Sequence, residues 1–380
     1  MKIEPFGVEQ WMNAWETKCE LNLAETCVAS LTLAELMQMA GTTQQMPSEL
    51  ARMQMTYGEI RGSTRLRGLV AGMFADQRAE NVLITHGTIG ANHMVYQTLV
   101  GAGGVDERPD HVVAVTPTYQ QHTAIPRSLG AEVTEVALSE AGSWLPDWDA
   151  VAAAMTPATK VIALTNPNNP TGALIERDGL ERVAEIARSV GAWVLCDEVY
   201  RGTEQGDPVP SIVDVYDKGI STGSTSKAFS LAGLRLGWIV GPESLLDNCE
   251  VHRDYTTISV GMVDDYFAAM ALDAKDVILE RSHEITRGNL AVLDAWVQGE
   301  PKARYIKPKA GTTAFVALNL GISSYDQCVA LLKDTGVMFT PGSALGVEGY
   351  VRIGFACYPQ VLKEGLERVS QWLAKQPAAS

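Results

Sequence analysis

Val161-Ile162-Ala163-Leu164 runs straight into Thr165-Asn166-Pro167-Asn168-Asn169-Pro170-Thr171-Gly172. Past a helical pattern over 177–190, Trp193-Val194-Leu195-Cys196 runs into Asp197-Glu198-Val199-Tyr200. Each four-residue apolar run is bounded by turn residues, and an unbroken apolar strand is one covered on both faces. Strand, turn, helix and strand in that order predict a parallel βαβ unit. The same texture extends outward. Val82-Leu83-Ile84-Thr85 precedes a helix over 90–100. Val112-Val113-Ala114-Val115 precedes a helix over 121–129. Further strands are expected at 219–222 and 236–240. The fold class is therefore α/β, with a mostly parallel central sheet. After about residue 285 the pattern becomes short strands at 314–318, 337–340 and 350–355, with helices near 325–334 and 359–373. This predicts a large unit over 36–284 and a smaller α+β unit made of 1–35 and 285–380.

Composition sets bounds on function. The 380 residues carry 30 Lys and Arg against 45 Asp and Glu, a net charge of −15. With 46% hydrophobic residues the chain can bury a sizeable core. No basic surplus exists to neutralise phosphates, so no nucleic-acid partner is expected. No apolar run reaches the roughly 18 residues that a membrane span requires, so no membrane partner is expected. Met1-Lys2-Ile3-Glu4-Pro5 has no apolar signal-peptide core. Cys19, Cys27, Cys196, Cys249, Cys328 and Cys357 show neither metal-ligand nor disulfide-scaffold spacing, so no metal site is expected. They read as reduced residues of a cytoplasmic protein. Gly101-Ala102-Gly103-Gly104 is followed by Val105-Asp106-Glu107 rather than an amphipathic helix, and reads as a turn. The tail from Gln376 reads as frayed.

The chemistry concentrates in Ser224-Thr225-Ser226-Lys227-Ala228-Phe229-Ser230-Leu231-Ala232-Gly233-Leu234-Arg235-Leu236-Gly237-Trp238. A lysine among small hydroxyl residues at a strand end can form a Schiff base with an aldehyde cofactor. Hydroxyls and an arginine nearby suit a phosphate. Ligands of open α/β sheets lie at the carboxyl ends of strands. Asp197, Asn169, Lys227 and Gly87-Thr88 are expected to converge there. No phosphate loop, no His-Glu-x-x-His and no Gly-x-Ser-x-Gly occurs, and no Gly-x-Gly-x-x-Gly follows a strand, which disfavours a nicotinamide dehydrogenase.

Asn-Pro-x-Asn-Pro-Thr-Gly, Asp-Glu-Val-Tyr, Ser-x-Ser-Lys and Gly-x-Arg-x-Gly, in this order from about Tyr57 to Phe355, resemble the fold-type I enzymes dependent on pyridoxal 5′-phosphate (PLP), class I/II aminotransferases. The resemblance implies that Lys227 binds the cofactor and shuttles the proton. It implies that Asp197 pairs with the pyridine nitrogen, and that Tyr200 and Asn169 donate to the ring 3′-oxygen. Ser224, Ser226 and Arg235, with the backbone of Gly87, Thr88 and Ile89, match the phosphate clamp. Tyr119 matches the aromatic residue that stacks on the ring. Tyr57 matches a tyrosine that reaches the phosphate across a homodimer interface, and Arg352 matches the grip on the substrate carboxylate. His86 reads as an ordinary strand-end histidine.

The implied activity moves an amino group from an L-amino acid to a 2-oxo acid. One segment departs from the pattern. Leu21-Asn22-Leu23-Ala24-Glu25-Thr26-Cys27 puts a glutamate where many relatives keep glycine near the substrate. This segment, and His252-Arg253-Asp254-Tyr255-Thr256-Thr257-Ile258-Ser259, resemble capreomycidine synthases; the first also resembles arginine oxidases. Glu25 is thus a candidate substrate contact, and a PLP-dependent lyase, cyclase or oxidase acting on arginine or another basic amino acid is the alternative. PLP-sensing regulators of this fold add a basic DNA-binding domain, which an acidic chain starting directly in the fold does not match.

Overall fold

The computed structural model describes residues 2–42, 46–102, 108–318 and 320–376. The expected glycine-rich turn from Gly103 onward and the tail beyond Gln376 lie outside the described residues. The strands are β1 (Leu21–Asn22), β2 (Val82–Thr85), β3 (His111–Thr116), β4 (Glu132–Ala137), β5 (Thr159–Thr165), β6 (Trp193–Asp197), β7 (Gly219–Ser224), β8 (Gly237–Val240), β9 (Ala303–Tyr305), β10 (Thr313–Leu318), β11 (Val337–Met338), β12 (Thr340–Pro341) and β13 (Tyr350–Gly354). A seven-stranded sheet runs β2-β8-β7-β6-β5-β3-β4. Only β8 is antiparallel to its neighbours, β2 and β7. Helices cover both faces, as the continuous apolar strands require. Val113, Ile162 and Val194 enter the core on one face, while Val112, Val161 and Leu195 enter the core on the other.

A second, antiparallel sheet runs β12-β13-β10-β9, and β1 pairs with β11 in parallel. Two helices join the cores of the two sheets. In Gly7–Trp15, Val8 packs with the large sheet and Trp11 with the small one. Lys275–Gly299 runs uninterrupted through residue 285, where the sequence texture changes. Its Ile278 packs beside Ala268 and Leu272, whereas Leu290, Leu293 and Val297 pack under the small sheet.

The turn after β5 shows why asparagine recurs there. Asn166 and Ile175 exchange two hydrogen bonds, Nδ2 donating to the Ile175 carbonyl at 3.0 Å and Oδ1 accepting from its N–H at 2.8 Å. Asn168 Nδ2 donates to the Pro117 carbonyl, and its Oδ1 accepts from the Thr171 hydroxyl. These side chains satisfy buried backbone groups that the prolines leave without a regular ladder. Asn169 is thereby left facing the space beyond the strand ends.

Candidate active site

A cavity of about 330 Å³ opens at the carboxyl ends of β2, β5, β6 and β7. It is lined by Thr88, Ile89, Tyr119, Asn169, Asp197, Tyr200, Ser224, Ser226, Lys227, Arg235, Arg352 and Glu25, so these sequence candidates meet in one place. Gly87 opens the helix Gly87–Leu99 directly after β2 and lies against Arg235: a Cβ on Gly87 would sit 3.4 Å from Arg235 Nη2. Tyr57 stands apart. It is 74% exposed and lies in a separate surface hollow with Met262 and Tyr266. His86 precedes the helix and is not among the cavity-lining residues.

Backbone packing seats the helix. A Cβ on Gly237 would fall 2.5 Å from the Gly87 carbonyl carbon and 2.7 Å from the Thr88 nitrogen. Only a bare residue on β8 lets the first turn of Gly87–Leu99 approach so closely. The Thr88 hydroxyl is buried and has no hydrogen-bond partner among the described residues. An unsatisfied buried hydroxyl at a helix N-terminus, beside two serines and an arginine, has the chemistry of an anion seat.

Asp197 is buried at the end of β6. Its Oδ1 accepts from the Val199 N–H at 3.1 Å and its Oδ2 accepts from Asn92 Nδ2 at 2.8 Å. Thr222 Oγ1 donates to Asn92 Oδ1 and so fixes that amide. His122 Nε2 lies 3.7 Å from Asp197 Oδ2, with its Nδ1 joined to the Tyr96 hydroxyl. Glu198, the next residue, turns away from the cavity. Its carboxylate accepts from Ser211, Ser221 and the Ile212 N–H, while burial pushes its pKa upward. The two adjacent acids thus divide: one faces the site and the other braces the strands. Asn92 and His122 escaped the sequence reading because each sits within a helix and carries no local motif.

Lys227 Nζ donates to Thr26 Oγ1 at 2.6 Å and to Cys27 Sγ at 3.5 Å. Burial disfavours its charge, yet the surrounding Cys27, Tyr200 and Glu25 side chains together outweigh burial and raise its pKa. The Cys27 thiol is itself pushed up to about 11, chiefly by burial, so it is neutral at physiological pH. Glu25 is therefore the effective anion. Partial burial opposes its ionisation, but Lys227 and the Cys27 and Thr26 N–H groups hold it below the usual carboxylate range. Its side chain lines the cavity yet remains exposed.

Arg352, on β13 and 3% exposed, donates to Asn169 Oδ1 at 3.2 Å, to the Ala24 carbonyl at 3.1 Å and to Thr340 Oγ1 at 3.2 Å. Its Nε is buried without a hydrogen-bond partner among the described residues. Gly354, two residues on, touches the Glu25 backbone so closely that a Cβ would fall 1.7 Å from the Glu25 carbonyl oxygen. Tyr119 lines the cavity, and its hydroxyl donates to Glu9. Burial, reinforced by Glu9, raises its pKa.

The family model for class I and II aminotransferases matches residues 27–369. The chain belongs to this family. Capreomycidine synthase of Streptomyces vinaceus is 27% identical over 372 residues, covering 96% of this chain and 93% of that protein. The arginine–pyruvate transaminase AruH of Pseudomonas aeruginosa is 29% identical over 331 residues, covering 83% and 81%. Among solved structures, a PLP-dependent aminotransferase from Streptococcus suis 89-1591 superposes with a TM-score of 0.95 at 41% identity, covering 100% of each chain. The chain is a class I/II aminotransferase of fold type I, and pyridoxal 5′-phosphate is its cofactor. The cavity fits that group. The unpartnered Thr88 hydroxyl with Ser224, Ser226 and Arg235 suits its phosphate, Asp197 offers a buried carboxylate, and Lys227 an amine. Among the described residues no helix is long and apolar enough to cross a membrane, and no cluster of metal-ligating side chains occurs.

Proposed function

We propose that this aminotransferase moves the amino group of an L-amino acid to a 2-oxo acid. The supporting observation is the convergence of Lys227, Asp197 and Arg352 on one cavity. Bound PLP supplies an aldehyde carbon for the substrate amine and a ring that accepts the electrons of the broken Cα–H bond. Lys227 Nζ takes the Cα proton and returns it on the cofactor side. Asp197, fixed by Asn92 and the Val199 N–H, keeps the ring nitrogen protonated. Tyr200 and Asn169 donate to the ring oxygen, and Tyr119 covers the ring face. Ser224, Ser226, Arg235 and the N–H groups of Gly87, Thr88 and Ile89 hold the phosphate. Arg352 grips the α-carboxylate, which its planar fork suits, and Glu25 faces the substrate side chain.

In this reading the enzyme is a homodimer. Tyr57, itself exposed, reaches the partner's phosphate. The large unit, 36–284, holds the cofactor; the small unit, 1–35 with 285–380, brings Glu25 and Arg352. Six unpaired cysteines support a reducing compartment such as the cytoplasm. A second reading, a lyase, cyclase or oxidase on arginine or another basic amino acid, is favoured by Glu25 and by the likeness to capreomycidine synthase.

A half-reaction assay separates the two. In transamination, amino acid alone converts the cofactor to its aminated form, and a 2-oxo acid restores it with ping-pong kinetics. Release of ammonia, or of a cyclised or oxidised product with no such recovery, would overturn the first reading.

A further inference from the structure

The helix Gly7–Trp15 and the turn Glu16–Lys18 that continues it bring a further set of side chains to the cavity. Val8, Glu9, Met12 and Glu16 all line it. Spacings of three and four place 9, 12 and 16 on one face. Elsewhere on the helix, Trp11 is buried under the small sheet and its indole N–H donates to the Phe339 carbonyl at 2.9 Å. Gly7 N–H is held by Gln120 Oε1, and Glu9 by the Tyr119 hydroxyl. The helix is anchored at several points, so its cavity face holds a defined position.

That face adds two carboxylates to Glu25. None of Glu9, Glu16 and Glu25 forms an ion pair among the described residues. The cations lining the cavity are Lys227, Arg235 and Arg352. In the reading above, the cofactor engages Lys227 and Arg235, and the substrate carboxylate engages Arg352. The fields of Glu25 and Glu9 reach Arg352, and that of Lys227 reaches Glu25; with those cations taken up by cofactor and substrate carboxylate, the three carboxylates have no further cation of the cavity lining to balance them. Independently, the unpartnered Nε of buried Arg352 marks the same cavity as built for an anionic group. A ligand satisfying both carries a carboxylate at one end and a positive charge at the other.

We propose that Glu9 and Glu16 join Glu25 in a side-chain subsite, and that the substrate is an α-amino acid with a cationic side chain. This rests on the assignment of Arg352 to the α-carboxylate. Glu9 is fixed by the residue that covers the ring, so it sits nearer the reacting end. Glu16, exposed and without a hydrogen-bond or ion-pair partner for its side chain among the described residues, forms the outer rim.

The test is equilibrium binding to the holoenzyme of α-methyl-L-ornithine and α-methyl-L-norvaline, read from the cofactor absorbance. The two differ by a terminal ammonium, and neither has an α-hydrogen to lose. The wild type should bind the ornithine analogue about 10-fold or more tightly than the norvaline analogue, as a charge-assisted pair implies. Glu16→Gln and Glu9→Gln should each narrow that preference several-fold while leaving norvaline-analogue binding unchanged, which also reports an intact site. Equal affinity for the two analogues in the wild type, or equal losses for both in the variants, would overturn the subsite. A preserved ornithine preference in an enzyme that fails to transaminate would count against the proposed reaction and leave the subsite standing.

Discussion

The Arg352 guanidinium donates to the Asn169 side-chain oxygen at 3.2 Å, joining β13 of the small sheet to the turn that follows β5 of the large one. The proposed carboxylate grip is thus tied to a residue proposed to contact the cofactor ring. Arg352 also serves the Ala24 carbonyl and Thr340. A single ammonium cannot reach all three acceptors and a substrate. Arg352→Lys should therefore lower kcat/KM by about 10- to 150-fold, the range of one hydrogen-bonded charge, mainly through KM. Steady-state kinetics at matched cofactor occupancy checks this. An unchanged KM would remove Arg352 from the carboxylate site.

Lys227→Ala should abolish turnover while retaining cofactor held by the phosphate seat. After borohydride reduction, peptide mass spectrometry should find the cofactor on Lys227 of the wild type and on no lysine of the variant. A reduced adduct in the variant would place the covalent link elsewhere.

Asp197→Ala should lower kcat by several orders of magnitude, because the ring nitrogen would lose its proposed counter-charge. Asn92→Ala removes one buried hydrogen bond to Asp197, and roughly a 10-fold loss follows from about 1–1.5 kcal/mol. The graded pair of effects identifies Asn92 as acting through Asp197. Equal losses in both variants would contradict that order.

Cys27 lies 3.5 Å from Lys227 Nζ, yet burial pushes its thiol up to about 11. Thiolate is the reactive form, so at pH 8 roughly one thiol in a thousand is ionised. The folded value lies above that of a free thiol, so the protonated form persists as pH rises and reactivity grows toward pH 11. Iodoacetamide labelling followed by mass spectrometry should show slow modification at pH 8. Rapid labelling there would mean that Cys27 is a thiolate paired with Lys227.

Tyr57→Phe chains mixed with Lys227→Ala chains, after dissociation and reassociation, should give an activity that departs from the sum of the two parents. Each hybrid dimer would contain one site with both defects and one with neither. Strictly additive activity would place Tyr57 outside the partner's site.

Much of this arrangement is legible in the residues. β2 spans Val82–Thr85 and the helix after β5 spans Arg177–Val190, as their apolar periods indicate. β4 escapes such reading because it is an edge strand: Glu132, Thr134, Glu135 and Ala137 are exposed, and too little apolar alternation remains. The run 337–340 reads as one strand but is split between two partners, β11 joining β1 and β12 joining β13. No local pattern marks a change of partner. At the site, residues with sequence motifs were visible, whereas Asn92, His122, Glu9 and Glu16 acquire their positions only when distant helices close on the sheet.

The contact of Gly354 with the Glu25 carbonyl has a wider consequence. Arg352 and Glu25 are separated by packed main chain, with no side chain between their two segments to rearrange. With Arg352 and Glu25 in the roles proposed for them, the span between the backbone of the carboxylate grip and that of Glu25 is therefore a fixed gauge. Substrates would be sorted by length as well as by charge. Widening that gauge to take a longer chain would require remaking the backbone, because no exchange of a surface residue moves one jaw relative to the other.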